Sequence, residues 1–291
     1  MRQTFPFPVR YDDCDPYGHV NHASYLRYLL EAAFAASAAI GYPVDRYREM
    51  GRLWFVRDTE IEYLAPLRYG DHIAVDTWVL DFRRVRSRRA YEMRRASDET
   101  VVARAVTDWV FLDSERQRPA SVPAGMVEAF LPDGPAPDLQ PREPFPQAPE
   151  PPPGVYRQER RVSWSDLDPA GHVNNACYLN YLEDCAIGDA RSRGWPVARM
   201  LDEGGFAIVA RRYRIEYQEP AHLDELLEVA TWISDVRRAS AVRHYTVRRA
   251  TDGGLLARAR ALWAWVDPAS GRPVRIPEMF IRDFAENIVA A

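Results

Sequence analysis

The sequence predicts an α+β protein built from two copies of one domain, each a long helix packed on an antiparallel sheet of four or five strands. Three observations carry this expectation. The stretch Asp13-Cys14-Asp15-Pro16-Tyr17-Gly18-His19-Val20-Asn21 returns 153 residues later as Asp166-Leu167-Asp168-Pro169-Ala170-Gly171-His172-Val173-Asn174. Each copy runs into an apolar stretch of helical length. Each such stretch is followed by runs of alternating apolar and polar residues, the pattern of half-buried strands.

The duplication extends well beyond the turn. Asp15 to Glu31 over Asp168 to Asp184 gives 11 identities in 17 positions, where unrelated segments of average composition match at roughly one. Gly41-Tyr42-Pro43 matches Gly194-Trp195-Pro196 at the same offset of 153, and Ile61-Glu62-Tyr63 matches Ile215-Glu216-Tyr217 at 154. One residue is therefore inserted between them. The match continues through Thr77-Trp78 and Thr231-Trp232, Arg83-Arg84 and Arg237-Arg238, and Phe130 and Phe284. A period this long means two domains and not a solenoid of small repeats.

Taken in order, Phe5 to Tyr11 reads as a short strand, and the Asp-rich turn follows at the start of a helix. From His22 to Ile40, the residues Tyr25, Leu26, Leu29, Leu30, Ala33, Phe34, Ala38 and Ile40 cover nearly the whole helix circumference. That predicts a helix about 28 Å long, buried on most sides. Gly41 supplies the stop, with Pro43 two residues on. Phe55 to Tyr63 alternates, Ile73, Val75, Thr77 and Val79 share one face, and Val102 to Leu112 is a β-branched and aromatic run. Gly70-Asp71, Ser97-Asp98 and Asp252-Gly253-Gly254 are expected turns. Residues 132–154 hold ten prolines, which exclude a regular strand or helix and predict a semi-extended linker. The expected boundaries are thus 1–131, a Pro-rich linker 132–154, and 155–291, with a second buried helix from Asn175 to Arg193.

Composition narrows the function classes. The 291 residues hold room for two cores, and a net charge of -4 gives no global attraction to nucleic acid. All 38 basic residues are arginine, which excludes a lysine Schiff base or a phosphate-loop lysine. Cys14, Cys177 and Cys185 show no metal-ligand spacing, and their odd number argues against a disulfide framework. With no signal-like or membrane-length apolar run, a soluble cytoplasmic protein is expected.

The doubled Asp-x-Asp-Pro-x-Gly-x-Val pattern, followed by a helix carrying Tyr25 or Tyr178, resembles the hotdog-fold thioesterases of the 4-hydroxybenzoyl-CoA type. The second copy, from Trp164 to Asn175, is also similar to the acyl-ACP thioesterase motif. The resemblance implies a tandem hotdog fold, with two antiparallel sheets each wrapped around its long central helix and joined side by side. It implies acyl-CoA or acyl-ACP as substrate, no cofactor, no metal, and no nucleic-acid or membrane partner. Association of such double units into a homo-oligomer is left open, as are acyl-chain length and carrier.

The chemistry suits the residues. Thioester hydrolysis needs an attacking oxygen and a place for the charge that develops on the carbonyl. Asp15 and Asp168, read as lying one turn before a helix, are the candidate general bases or nucleophiles. The helix-start N–H groups, assigned by family match to His22 and Asn175, are the candidate oxyanion donors, each worth about 3 to 4 kcal/mol in the transition state. His19 and His172 are candidates for proton transfer or for a structural hydrogen bond. Asn21 and Asn174 are expected as helix caps or substrate-orienting amides, with Gly18 and Gly171 shaping the turn. Glu183, read as one turn into the second helix, is an auxiliary carboxylate with no counterpart at Leu30. Arg83, Arg84, Arg237 and Arg238 resemble the place where this family grips the CoA phosphates, and guanidinium geometry suits phosphate. The ordinary alternative for Arg83 to Arg89 is a solvated strand face. The rival reading of the whole is a non-catalytic acyl-CoA-binding or sensing protein. A hotdog hydratase and a metal site at Asp13, Asp15 and His19 are weaker expectations.

Overall fold

The computed structural model describes residues 1–135, 139 and 141–289. Within the expected linker, residues 136–138 and 140 lie outside the described residues. The chain divides into two compact units, Met1–Pro144 and Phe145–Ala291. In unit 1 the elements run β1 (Gln3–Pro8), α1 (His22–Ala39), α2 (Val44–Glu49), β2 (Arg52–Tyr63), β3 (His72–Arg83), β4 (Arg86–Arg95), β5 (Val101–Asp113), β6 (Arg118–Pro119) and α3 (Ala124–Phe130). Unit 2 repeats them as β7 (Tyr156–Arg161), α4 (Asn175–Ser192), α5 (Val197–Asp202), β8 (Ala207–Tyr217), β9 (Leu226–Ser234), β10 (Ser240–Arg249), β11 (Leu255–Val266) and α6 (Glu278–Asp283).

The ladders of both units are antiparallel and follow one order. Unit 1 pairs β1 with β3, β3 with β4, β4 with β5 and β5 with β2, and the two-residue β6 adds to β5. Unit 2 pairs β7 with β9, β9 with β10, β10 with β11 and β11 with β8. Register follows the repeat: Thr77 faces Tyr91 as Thr231 faces Tyr245. The extra residue of unit 2 falls between helix and strand, because α2 and α5 start 153 apart while Tyr63 and Tyr217 end their strands 154 apart.

The helix α1 packs on β1 and β3, and α4 on β7 and β9. Both are the central helices expected, ending one residue early with Ile40 and Arg193 as C-caps. Burial of α1 is more one-sided than its apolar pattern suggests. Tyr25, Leu26, Tyr28 and Leu29 are enclosed, but Phe34 is 38% exposed and Ala38 is exposed. The short helices were not anticipated: at six or seven residues they span too few turns for a period to register. The helices α2 and α3 bring Tyr47 and Phe130 against Tyr42, Val79 and Phe111, an aromatic core at one end of unit 1.

The proline-rich run is docked at both ends. Arg142 forms ion pairs with Asp81 at 3.1 Å and Asp108 at 2.7 Å in unit 1. Gly154 O accepts hydrogen bonds from Arg193 and Asn287 in unit 2, at 2.8 and 3.1 Å. Arg88 and Arg89 are buried, which corrects the solvated-face reading for that part of the arginine segment. As neighbours on β4 they point to opposite faces, and each is enclosed there: Arg88 pairs Asp81 at 3.2 Å, while Arg89 donates to Thr77 Oγ1 at 3.1 Å.

Candidate active site

The two Asp-Pro-x-Gly-His segments fold alike because their own backbone closes them. In unit 1 the Asp15 N–H donates to His19 O at 2.8 Å and Gly18 N–H to Asp15 O at 2.9 Å, and Cys14 bridges Val20. In unit 2 the corresponding bonds, Asp168 to His172 and Gly171 to Asp168, are 3.0 and 2.9 Å, and Leu167 bridges Val173. Gly18 and Gly171 sit at φ of 72° and 81°, which glycine adopts without the cost a Cβ would bring. The loop is tied down by Val20 N–H to Leu67 O and by Val173 N–H to Ala221 O, at 2.8 and 2.9 Å. Because the loop is closed before the helix begins, Asp15 and Asp168 lie seven residues ahead of His22 and Asn175, a correction to the single turn expected.

One oxygen of each Asp is already used. Asp15 Oδ1 accepts from the Tyr17 N–H at 2.9 Å, and Asp168 Oδ1 accepts from the Ala170 N–H at 2.9 Å. Among the described residues no group hydrogen-bonds Oδ2 of Asp168, and His172 Nδ1 lies 3.6 Å from Oδ1. Asp168 and His172 are each about one-fifth exposed, so the pair is sheltered yet reachable. In unit 1, burial and then the charge of Arg68 hold His19 below its ordinary pKa. Its ring is neutral near pH 7.

Asn21 and Asn174 are caps: Oδ1 accepts from Ala23 N–H at 2.9 Å and from Ala176 N–H at 3.0 Å. Each side-chain oxygen thus fills the capping role expected of it. The helices beyond are anchored by Tyr63, which donates to His22 O at 2.9 Å, and by Tyr217, which donates to Asn175 O at 2.8 Å. Glu183 lies eight residues after the first residue of α4, more than two turns in, which corrects its expected position one turn in.

Arg83, Arg84, Arg237 and Arg238 are exposed at the β3–β4 and β9–β10 connections. The Asp15 loop is bonded to Leu67, just before β3 begins, whereas Arg83 ends that strand. At about 3.3 Å per residue, roughly 35 Å of strand separates them, so one unit does not bring its own arginine doublet to its own Asp loop.

Two features escaped the sequence reading. Asp13 and Asp166 are buried beneath the loops, where Tyr28 and Tyr181 donate to their carboxylates. Burial alone would raise the Asp13 carboxyl, but hydrogen bonds from Arg10 and Tyr28 hold it below the usual carboxylate range. Among the described residues no group of three or more His, Cys, Asp or Glu side chains is placed to hold a metal ion. The signal was available, since Asp13 and Tyr28 match Asp166 and Tyr181 at the repeat offset.

The second feature is a difference between the copies. Arg243 is buried, and its Nη1 lies 2.7 Å from Oδ2 of the fully buried Asp189, whose Oδ1 takes Arg193 Nε at 2.7 Å. Burial alone would lower the Arg243 pKa, but the Asp189 carboxylate outweighs it. Unit 1 keeps Arg89, Thr77 and Phe130 in place of Arg243, Thr231 and Phe284, but has Ala36 and Ile40 in place of Asp189 and Arg193. Arg89 donates to Thr77 Oγ1 at 3.1 Å and lies over the Phe130 ring at 5.6 Å. Burial lowers its pKa. It lines an open-mouthed cavity of about 40 Å³ with Phe34, Trp54, Phe82, Trp109 and Phe130.

Comparison with known proteins identifies the family and the fold. The thioesterase-like superfamily matches residues 9–130 and 162–284, one match per unit. An acyl-CoA thioester hydrolase YbgC of Escherichia coli O6:H1 is 30% identical over 132 residues, spanning 45% of this chain and 97% of its own. Among solved structures, a protein assigned as an oleoyl thioesterase of Lactobacillus plantarum aligns with TM-score 0.79 and 17% identity, over 96% of this chain and 98% of its own. The 12:0-ACP thioesterase of Umbellularia californica aligns at TM-score 0.73 and 17% identity, over 91% and 94%. Both likenesses cover the two units together, as a tandem hotdog fold requires. The chain belongs to the thioesterase-like superfamily, with one hotdog unit for each matched half.

Proposed function

We propose that this protein hydrolyses acyl thioesters of CoA or acyl carrier protein, with Asp168 and Asp15 as the reacting carboxylates. The observation that carries the reading is the doubled loop, in which an Asp is fixed by its own backbone ahead of an Asn-capped helix. As general base, Asp168 takes a proton from water through Oδ2 while the water oxygen attacks the thioester carbonyl carbon. The C–S bond then breaks, the thiolate leaves, and the proton passes to it. As nucleophile, the carboxylate attacks the carbonyl carbon and the C–S bond breaks, releasing the thiolate and leaving an anhydride; water then cleaves the anhydride, and its proton passes to the thiolate. In both routes the positive end of the helix beginning at Asn175 supports the carbonyl oxygen as it gains charge. His172 Nδ1, 3.6 Å from Asp168 Oδ1, stands beside the reacting carboxylate.

Unit 2 is favoured as the working copy, because Oδ2 of Asp168 is unengaged among the described residues. The exposed Arg237 and Arg238, like Arg83 and Arg84, suit a phosphate-bearing carrier by charge and bidentate geometry.

Free-thiol release from a panel of acyl-CoA and acyl-ACP thioesters tests the reading. Asp168→Asn is expected to lower kcat at least a hundredfold, Asp15→Asn to lower it less, and the double variant to abolish turnover. Full activity in the double variant, with an unaltered melting temperature, would remove both carboxylates from the mechanism. Binding of acyl-CoA without turnover in the wild type would favour the sensing alternative.

A further inference from the structure

The buried cation of unit 1 has lost its partner, and a cavity stands beside it. In unit 2 the equivalent guanidinium is neutralised by Asp189 from the central helix. Ala36 occupies that helical position in unit 1, and with Arg89 it lines a second, water-sized cavity, about 10 Å³, next to the first. Arg89 is only 6% exposed. Among the described residues no carboxylate lies within ion-pair distance of it. Among the described residues its side chain makes one hydrogen bond, from Nη1 to Thr77, and the guanidinium, with further N–H donors, belongs to a residue that lines both cavities.

We propose that the unit 1 cavity binds a monocarboxylate with an apolar body, whose carboxylate takes the place at Arg89 that Asp189 takes at Arg243. The walls argue for the apolar body: Phe34, Trp54, Phe82 and Trp109 offer dispersion and no charge. A guanidinium with two forked donors matches one carboxylate, whereas a phosphate carries more charge than this single cation answers. Phe34, part-exposed on α1, stands among the lining residues where the cavity opens. Two sources supply this chemistry: a free carboxylic acid, such as a hydrolysis product, or the distal carboxylate of a dicarboxylic acyl thioester. Only the second rests on the proposed hydrolysis.

The test uses the full chain. Hexanoate, octanoate and benzoate are titrated calorimetrically, each against its neutral carboxamide. At least one acid is expected to bind tenfold or more tightly than its amide. Arg89→Met, which keeps volume without charge, is expected to erase that preference while leaving the amide within about threefold. Ala36→Asp, which restores the intramolecular partner, is expected to weaken the acid at least tenfold even if Arg89→Met folds poorly. Acids that bind no better than their amides, or that bind Ala36→Asp as well as wild type, would overturn the proposal. Suberoyl-CoA and octanoyl-CoA then separate the sources. A tenfold fall in their kcat/KM ratio in Arg89→Met assigns the site to a distal acyl carboxylate. An unchanged ratio with acid binding lost assigns it to the free acid.

Discussion

Asp189→Ala would leave Arg243 facing an alanine on the central helix, as Arg89 does in unit 1. Asp189 is fully buried and holds two guanidinium groups, Arg243 and Arg193, each at 2.7 Å. Without it Arg243 keeps one neutral acceptor, Thr231 Oγ1 at 3.4 Å, and its charge is left in a largely buried site. Removing one partner of a buried pair costs about 3–5 kcal/mol. For a unit of this size each kcal/mol is worth roughly 2–4 °C in Tm, so a fall on the order of 10 °C is expected by calorimetry. The matching change in unit 1 has the opposite sign. Arg89→Met removes a buried charge that has no carboxylate partner, so it is expected to be neutral or stabilising, and the double variant Asp189→Leu with Arg243→Met to recover most of the loss. A fall below about 2 °C for Asp189→Ala, or an equal fall for Arg89→Met, would refute the claim that the two copies differ in how they satisfy this cation.

Two further changes probe unit 2. His244 is buried against Trp232, with Nε2 2.8 Å from the Ser234 hydroxyl, and burial followed by the charge of Arg260 lowers its pKa from 6.5 to about 4. The unfolded chain therefore binds the extra proton first as pH falls. Stability should be full above pH 6.5, decline between 6.5 and 4, and level off below 4, by on the order of 2–3 kcal/mol. Urea denaturation across that range should show the decline, and His244→Asn should flatten it. Gly154→Ala should lose about 1–3 kcal/mol by the same assay, because an added Cβ would lie 2.5 Å from Glu286 O and 2.6 Å from its carbonyl carbon, backbone that cannot swing aside.

The sequence by itself determined the duplication, the α+β class, both central helices and the caps at Asn21 and Asn174. These follow from local rules: an amide capping two residues on, a glycine ending a helix, and an alternation that only a half-buried strand produces. Local rules do not report how the loop ahead of the helix is held, because that depends on backbone bonds from Asp15 and Val20 to the carbonyls of His19 and the distant Leu67. Nor do they fix which arginines turn inward. Arg83 and Arg89 belong to one basic run, yet a tight connection and the strand pleat leave the first in water and bury the second. Whether a buried arginine is paired depends on a residue some fifty positions away, Asp189 for Arg243 and Ala36 for Arg89. Only the packing of helix on sheet brings those two positions together, so tertiary structure alone decided that one copy holds a closed ion pair and the other an open cavity.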